Sequence, residues 1–138
     1  MEIGKLKEGY AVKFPQPDNP ILPSLPLRML ALAPSGQGKT NALVTMLVDK
    51  RFYRGKFEKI FWCSPTATVD PALDPLRTYV RDHLKQDQRE EPTFHDGIPV
   101  EFLQEQVAKA KKVMEFLKKR REKQHGWNIL ICIDDMAD

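Results

Sequence analysis

Apolar and polar residues fall along this chain in blocks whose period changes from one block to the next. Three short, nearly continuous apolar runs stand out: "RMLALA" from Arg28 to Ala33, "EKIFWCSP" from Glu58 to Pro65, and "NILICID" from Asn128 to Asp134. Runs of this length without polar alternation predict strands covered on both faces, as in a parallel sheet flanked by helices. Between them the period lengthens. In "KTNALVTMLVDK", starting at Lys39, Ala42, Leu43, Met46 and Leu47 share one helical face. "RFYRGKF", with Gly55, ends that helix. A shorter helix is predicted from about Pro75 to Lys85, and the polar stretch "REEPTFHDGIP" reads as turns. A long helix follows from about Val100 to Gln124, where Leu103, Val107, Ala110, Met114 and Leu117 form one stripe, widened by Val113 and Phe116. Gly126 is placed as its stop.

The order strand, loop, helix, strand, helices, strand predicts an α/β fold with a mostly parallel sheet. Residues 1–27 differ from the remainder. Pro15, Pro17, Pro20, Pro23 and Pro26 recur there, and proline removes a backbone donor and restricts the residue before it. The expectation is an extended arm that lies across the domain or reaches a neighbour, with a loose tail as the plainer alternative. The division is thus an arm over 1–27 and a folded domain over 28–138.

Bulk composition narrows this only modestly. The chain has 138 residues, 41% hydrophobic and 30% charged, enough for one globular domain with a real core. No apolar run approaches the roughly 20 residues of a membrane helix, and "MEIGKLKEGYAVKFPQ" holds no hydrophobic block of signal-peptide length. An intracellular location is the expectation. The net charge of +3 and pI near 8.9 permit nucleic-acid binding without requiring it. Cys63 and Cys132 sit inside apolar runs and read as buried thiols in strands. His83, His95 and His125 lack zinc-ligand spacing.

The chemistry concentrates in "LALAPSGQGKTN". It carries A-x-x-x-x-G-K-T, a phosphate-loop pattern with Ala33 in place of the first glycine. Such a loop turns backbone N–H groups toward phosphates at a helix N-terminus, where the helix dipole adds to the positive field. Glycine is needed where the backbone must approach closely or φ is positive, and Gly36 and Gly38 cover that inner turn. Ala33 lies on the rim, where one methyl is tolerable. Ala33, Pro34, Ser35, Gly36, Gln37, Gly38, Lys39 and Thr40 are therefore the candidate nucleotide-binding residues. Lys39 is to reach the β- and γ-phosphates, and Thr40 to offer its hydroxyl to Mg²⁺. The pattern follows a predicted strand and opens a predicted helix, as its mechanism requires; a glycine turn without nucleotide is the plainer alternative.

The second half of the site is "NILICIDDMAD". Asp134, at the strand's carboxyl edge, is to share the Mg²⁺ shell with Thr40. Asp135 is to polarise the attacking water as general base. Ligands of open α/β sheets bind at the carboxyl ends of strands, and both motifs lie there. A simple cap after the strand is the structural alternative for the acid pair.

Together "LAPSGQGKTN", "KIFWCSP" and "ILICIDDM" resemble the FtsK/HerA-type P-loop ATPases, in particular the genome-packaging ATPases of large DNA viruses of the poxvirus type. The likeness spans about Arg28 to Met136. It implies a P-loop three-layer sandwich, Mg²⁺-dependent ATP hydrolysis, a ring-shaped homo-oligomer, double-stranded DNA as the translocated partner, and possible contact with capsid or portal-like proteins. By resemblance Lys39, Thr40, Asp134 and Asp135 carry nucleotide binding, Mg²⁺ and water activation. For a virus the place of action is the host cytoplasm or the virion assembly site. The resemblance further implies a strand that follows the Asp-Asp strand in sequence, lies between it and the phosphate-loop strand, and senses the γ-phosphate. Nothing after Asp138 supplies it, so the expectation is an incomplete domain, the N-terminal part of a longer ATPase, with strand edges unpaired at the sheet centre.

The long helix carries Lys109, Lys111, Lys112, Lys118, Lys119, Arg120, Arg121 and Lys123. Its "KKRREK" end suits phosphate contacts of duplex DNA, or is a solvated face whose cations favour the helix C-terminus. Two other readings stand beside the motor: a different P-loop enzyme such as a small-molecule kinase, and a nucleotide-binding interaction module without turnover. The acid pair Asp134-Asp135 speaks against the kinase.

Overall fold

The computed structural model describes residues 14–31, 38–120 and 126–134. Helix α1 spans Lys39–Val48. Strand β1 covers Lys59–Cys63. A 3₁₀ turn at Pro71–Leu73 runs into α2, Asp74–Tyr79, and a π-type turn over Val80–Leu84. Strand β2 is Phe94–His95, α3 is Val100–Lys119, and β3 is Ile129–Ile133. The three strands form one parallel sheet in the order β2-β1-β3. The fold is mixed α/β, as the block pattern predicts.

The parity of β1 divides the core. Ile60 and Trp62 face one side, packing with Val44 and Leu47 of α1 and with Leu73, Leu76, Tyr79 and Val80; Leu130 and Cys132 of β3 join them. Phe61 and Cys63 face the other side, against Phe102 and Leu103 of α3, with Ile129 and Ile131. Helices thus cover both faces of β1, which explains its unbroken apolar sequence. Cys63 is buried and Cys132 half-buried, both as free thiols.

Strand β2 lies inside "REEPTFHDGIP", a stretch whose composition predicts turns. It is too short to cover β1 by itself, and side-chain amides complete the edge. Gln86 accepts from the Ile60 amide at 2.9 Å and donates to the Ile60 carbonyl at 3.1 Å. Gln88 accepts from the Thr93 amide at 2.8 Å and donates to its hydroxyl at 2.9 Å. Two polar side chains do what strand backbone ordinarily does, so the sequence carries no strand pattern there.

Four expectations are corrected. Residues Arg28 to Ala31 of the predicted first strand carry no strand, and Met29 and Leu30 are exposed. A cavity of about 360 Å³ separates this segment from β3, leaving it no ladder to join. On α1, Ala42 is exposed and Val44 takes its place in the core. On α3, Leu103 and Gln106 are buried, whereas Val107 and Phe116 of the predicted stripe are exposed. Finally, α3 stops at Lys119 because Arg120 turns extended, and not at Gly126. Gly126 instead makes room for an aromatic ring, since a Cβ there would stand 2.7 Å from the Phe14 ring.

That contact anchors the proline arm. Phe14 also packs on the core that holds Leu25. Gln16 clamps Leu25 by accepting from its amide at 2.7 Å and donating to its carbonyl at 2.8 Å. The Tyr53 hydroxyl donates to the Pro23 carbonyl at 2.9 Å. From Phe14 onward the arm lies across the domain.

Candidate nucleotide site

Helix α1 begins directly after Gly38, whose φ of +79° is a left-handed value that glycine adopts without strain. The Gly38 carbonyl accepts the first helical bond, from the Ala42 amide at 3.0 Å. Lys39 and Thr40 are therefore the first two helical residues, at the positive end of the dipole.

Asp134 arrives there from the sheet. Its amide donates to the Cys63 carbonyl at 2.8 Å, which extends the β1–β3 ladder one residue past β3. By strand parity its side chain falls on the α1 face, with Leu130 and Cys132. Thr40 Oγ1 donates to Asp134 Oδ2 at 2.8 Å, across 94 positions of sequence. Lys39 Nζ stands 3.0 Å from Asp134 Oδ1. Oδ1 is buried and accepts no directed hydrogen bond among the described residues, so this contact is a Coulombic pair. The carboxylate is 3% exposed and the lysine side chain 21%. Such a buried acid persists because an opposite charge and a hydroxyl compensate its lost hydration.

The same charge reaches Cys132. Burial pushes its thiol up to about 12, the Asp134 and Cys63 side chains add to that rise, and the Lys39 ammonium opposes it.

Of the sequence-predicted residues, Gly38, Lys39, Thr40 and Asp134 come together at the carboxyl end of the sheet. Ala33, Pro34, Ser35, Gly36, Gln37 and Asp135 lie outside the described residues. "CSP" reads as a strand stop, and Ser64 is 4% exposed and sits at the carboxyl end of β1 beside Asp134.

The donor set fits a hard cation. A carboxylate with an orphaned oxygen and an adjacent threonine hydroxyl are the oxygen ligands Mg²⁺ accepts, with phosphates and waters completing its shell. No group of three or more His, Cys, Asp or Glu placed to hold a metal ion by themselves is found among the described residues.

The basic helix is also placed. Lys109, Lys111, Lys112, Lys118, Lys119 and Arg120 are exposed, while Arg121 and Lys123 lie outside the described residues. Lys109 and Lys112 line a second cavity with Trp127 and the Lys59–Glu91 ion pair. That cavity adjoins the first residues of β1 and β3, Lys59 and Ile129, and so lies at the end of the sheet away from Asp134. No helix among the described residues is long and apolar enough to cross a membrane.

No protein-family model matches the chain, and no curated protein or solved structure matches it significantly.

Proposed function

We propose that the chain is a P-loop NTPase that binds and hydrolyses Mg-ATP to drive movement along double-stranded DNA, as in packaging of a viral genome. The observation that carries the nucleotide reading is the convergence of Lys39, Thr40 and Asp134, distant in sequence and joined within 3.0 Å at the N-terminus of α1. A structural cap after β3 needs only one partner and no lysine. In the bound state Lys39 turns to the β- and γ-phosphates, and Thr40 and Asp134 hold the Mg²⁺ shell. The cation there neutralises phosphate charge. Asp135 serves as general base for the attacking water.

The P-loop reading also assigns the cavity between Met29–Ala31 and β3 to the further strand that the resemblance implies. β3 is only half-buried and Ile133 exposed, as fits a sheet edge awaiting a neighbour. The DNA reading is supported by the exposed cations at the end of α3. A ring of like subunits and a capsid partner follow from the resemblance.

The experiment is ATP turnover with and without duplex DNA, over a salt series. Turnover that rises with duplex DNA and loses the rise at high salt supports the motor. Turnover that responds to a small phosphate acceptor, and not to DNA, supports a kinase instead.

A further inference from the structure

We infer that Trp127 and the cations around it form a binding track for single-stranded nucleic acid, at the end of the sheet opposite the nucleotide site. The track uses none of Lys39, Thr40 and Asp134, so it stands apart from the nucleotide reading. In sequence the lysines of α3 have no tryptophan among them, and the fold brings one to them. The Trp127 amide donates to Met114 Sδ at 3.1 Å, which ties Trp127 to α3 just ahead of β3.

Trp127 is half-buried and lines two recesses. In the first, of about 350 Å³, it is joined by Lys59, Lys109 and Lys112, with Glu91 as the one carboxylate. Lys59 is already paired with Glu91, and its Nζ stands 6.0 Å from the centre of the indole ring. Lys109 and Lys112 are exposed and form no ion pair among the described residues. Three positions apart on a helix, they are surface neighbours, so two unpaired positive charges border this recess. In the second, of about 520 Å³, Trp127 is joined by Arg54, Tyr79 and His83, with Glu58 as the one carboxylate. The Arg54 guanidinium lies over the Tyr79 ring, 4.7 Å from its centre, and the His83 ring is 5.9 Å from the same ring. Glu58 accepts from the Asn128 amide. Each recess thus joins cations to aromatic rings, and Trp127 is common to both.

That combination selects the ligand. Phosphates need only the cations, and an acidic peptide uses no more than those. A flat apolar ring needs the aromatic wall as well. Proteins that hold single strands combine a basic groove for the backbone with aromatic side chains for unstacked bases. A duplex keeps its bases stacked and offers such a recess its backbone and groove edges only. Each recess has the volume of a small-ligand pocket, which suits one unpaired nucleotide on either side of Trp127.

The test is fluorescence anisotropy on the whole chain with a short labelled thymidine oligomer and with a duplex of the same length, over a salt series. The variants are Trp127→Ala, Trp127→Phe and the pair Lys109→Gln, Lys112→Gln. Stacking of one base on an aromatic side chain corresponds to roughly tenfold in affinity. The expected result is that Trp127→Ala weakens the oligomer about tenfold, that Trp127→Phe restores most of the loss, and that neither alters duplex binding. The lysine pair is expected to weaken the oligomer and to lower its salt slope by about 1.4, the share of two phosphates on a single strand. Trp62 is fully buried, so the oligomer should quench the emission of wild type and not that of Trp127→Phe. An oligomer that does not bind, that binds without quenching, or that polyglutamate displaces as readily as unlabelled oligomer does, overturns the inference. So does a Trp127→Ala effect that is equal on oligomer and duplex, or absent from both. Should Trp127→Ala lose its folded melting transition, Trp127→Leu takes its place under the same criteria, and the quenching of wild type needs no variant. None of these outcomes bears on the nucleotide reading, which Lys39→Ala tests separately.

Discussion

Lys39 Nζ stands 3.0 Å from Asp134 Oδ1, while Thr40 binds the other oxygen of the same carboxylate at 2.8 Å. The lysine assigned to phosphate and the acid assigned to metal thus engage each other. On the nucleotide reading proposed above, binding of a Mg-nucleotide would exchange both partners at once, with the ammonium moving to phosphate and the carboxylate to the cation. Asp134→Asn removes the competitor for Lys39. Metal-free ATP is predicted to bind a few-fold more tightly to this variant than to wild type, and added Mg²⁺ to give no further gain. Calorimetry with and without chelator checks this; a variant that keeps its Mg²⁺ enhancement contradicts it.

The Gly126–Phe14 contact predicts how firmly the arm is held. In Gly126→Ala the new methyl meets the Phe14 ring at 2.7 and 2.8 Å. Overpacking of this kind costs about 1–3 kcal/mol. The ring belongs to the arm, so the expected response is displacement of the arm, seen as faster proteolysis near residues 14–27 and a lower melting temperature. The double change Phe14→Ala, Gly126→Ala is predicted to lose less than the sum of the two single changes.

Gln86 supplies a separate stability prediction. Gln86→Leu keeps most of the volume but strips partners from the Ile60 amide and carbonyl and from the Glu91 carbonyl. Each buried group left unpaired costs roughly 1–3 kcal/mol, so a loss of about 2 kcal/mol or more is expected in denaturant unfolding. The same change at Gln88, which is exposed, is predicted to cost less.

Thiol reactivity follows from burial. The Cys63 thiol is pushed up by burial, and that of Cys132 is pushed up to about 12. The thiolate is the reactive form. A folded-state value above the ordinary one means that folding favours the protonated thiol. This contribution is complete below the ordinary thiol range near 9 and is lost as pH rises toward 12. At pH 8 both thiols should label slowly in the native chain and rapidly in denaturant. Rapid native labelling of Cys132 would contradict the environment described for β3.

Legibility in the sequence tracks how strongly local residues dictate local structure. The runs "KIFWC" and "ILICI" are apolar on both faces and form β1 and β3. Gly38-Lys39-Thr40 opens a helix as its loop chemistry requires. What escapes depends on distant partners. β2 is masked because Gln86 and Gln88 replace strand backbone. "RMLALA" has strand composition, but residues 28–31 find no ladder across the cavity. Gly126 resembles a helix stop and is a docking point for an aromatic ring more than a hundred positions away. The convergence of Lys39, Thr40 and Asp134 is legible because the loop and acid motifs each call for the other as a partner.

Mg-ATP binding by this chain, measured beside Lys39→Ala, decides whether the nucleotide reading holds. Truncating one member of a close charge pair typically costs about 2–5 kcal/mol, or roughly 30-fold and upward in affinity. Saturable Mg-ATP binding is predicted for wild type, falling by at least that factor in Lys39→Ala, with the variant's melting transition intact. Folded wild type that does not bind Mg-ATP, or that binds no better than Lys39→Ala, contradicts it.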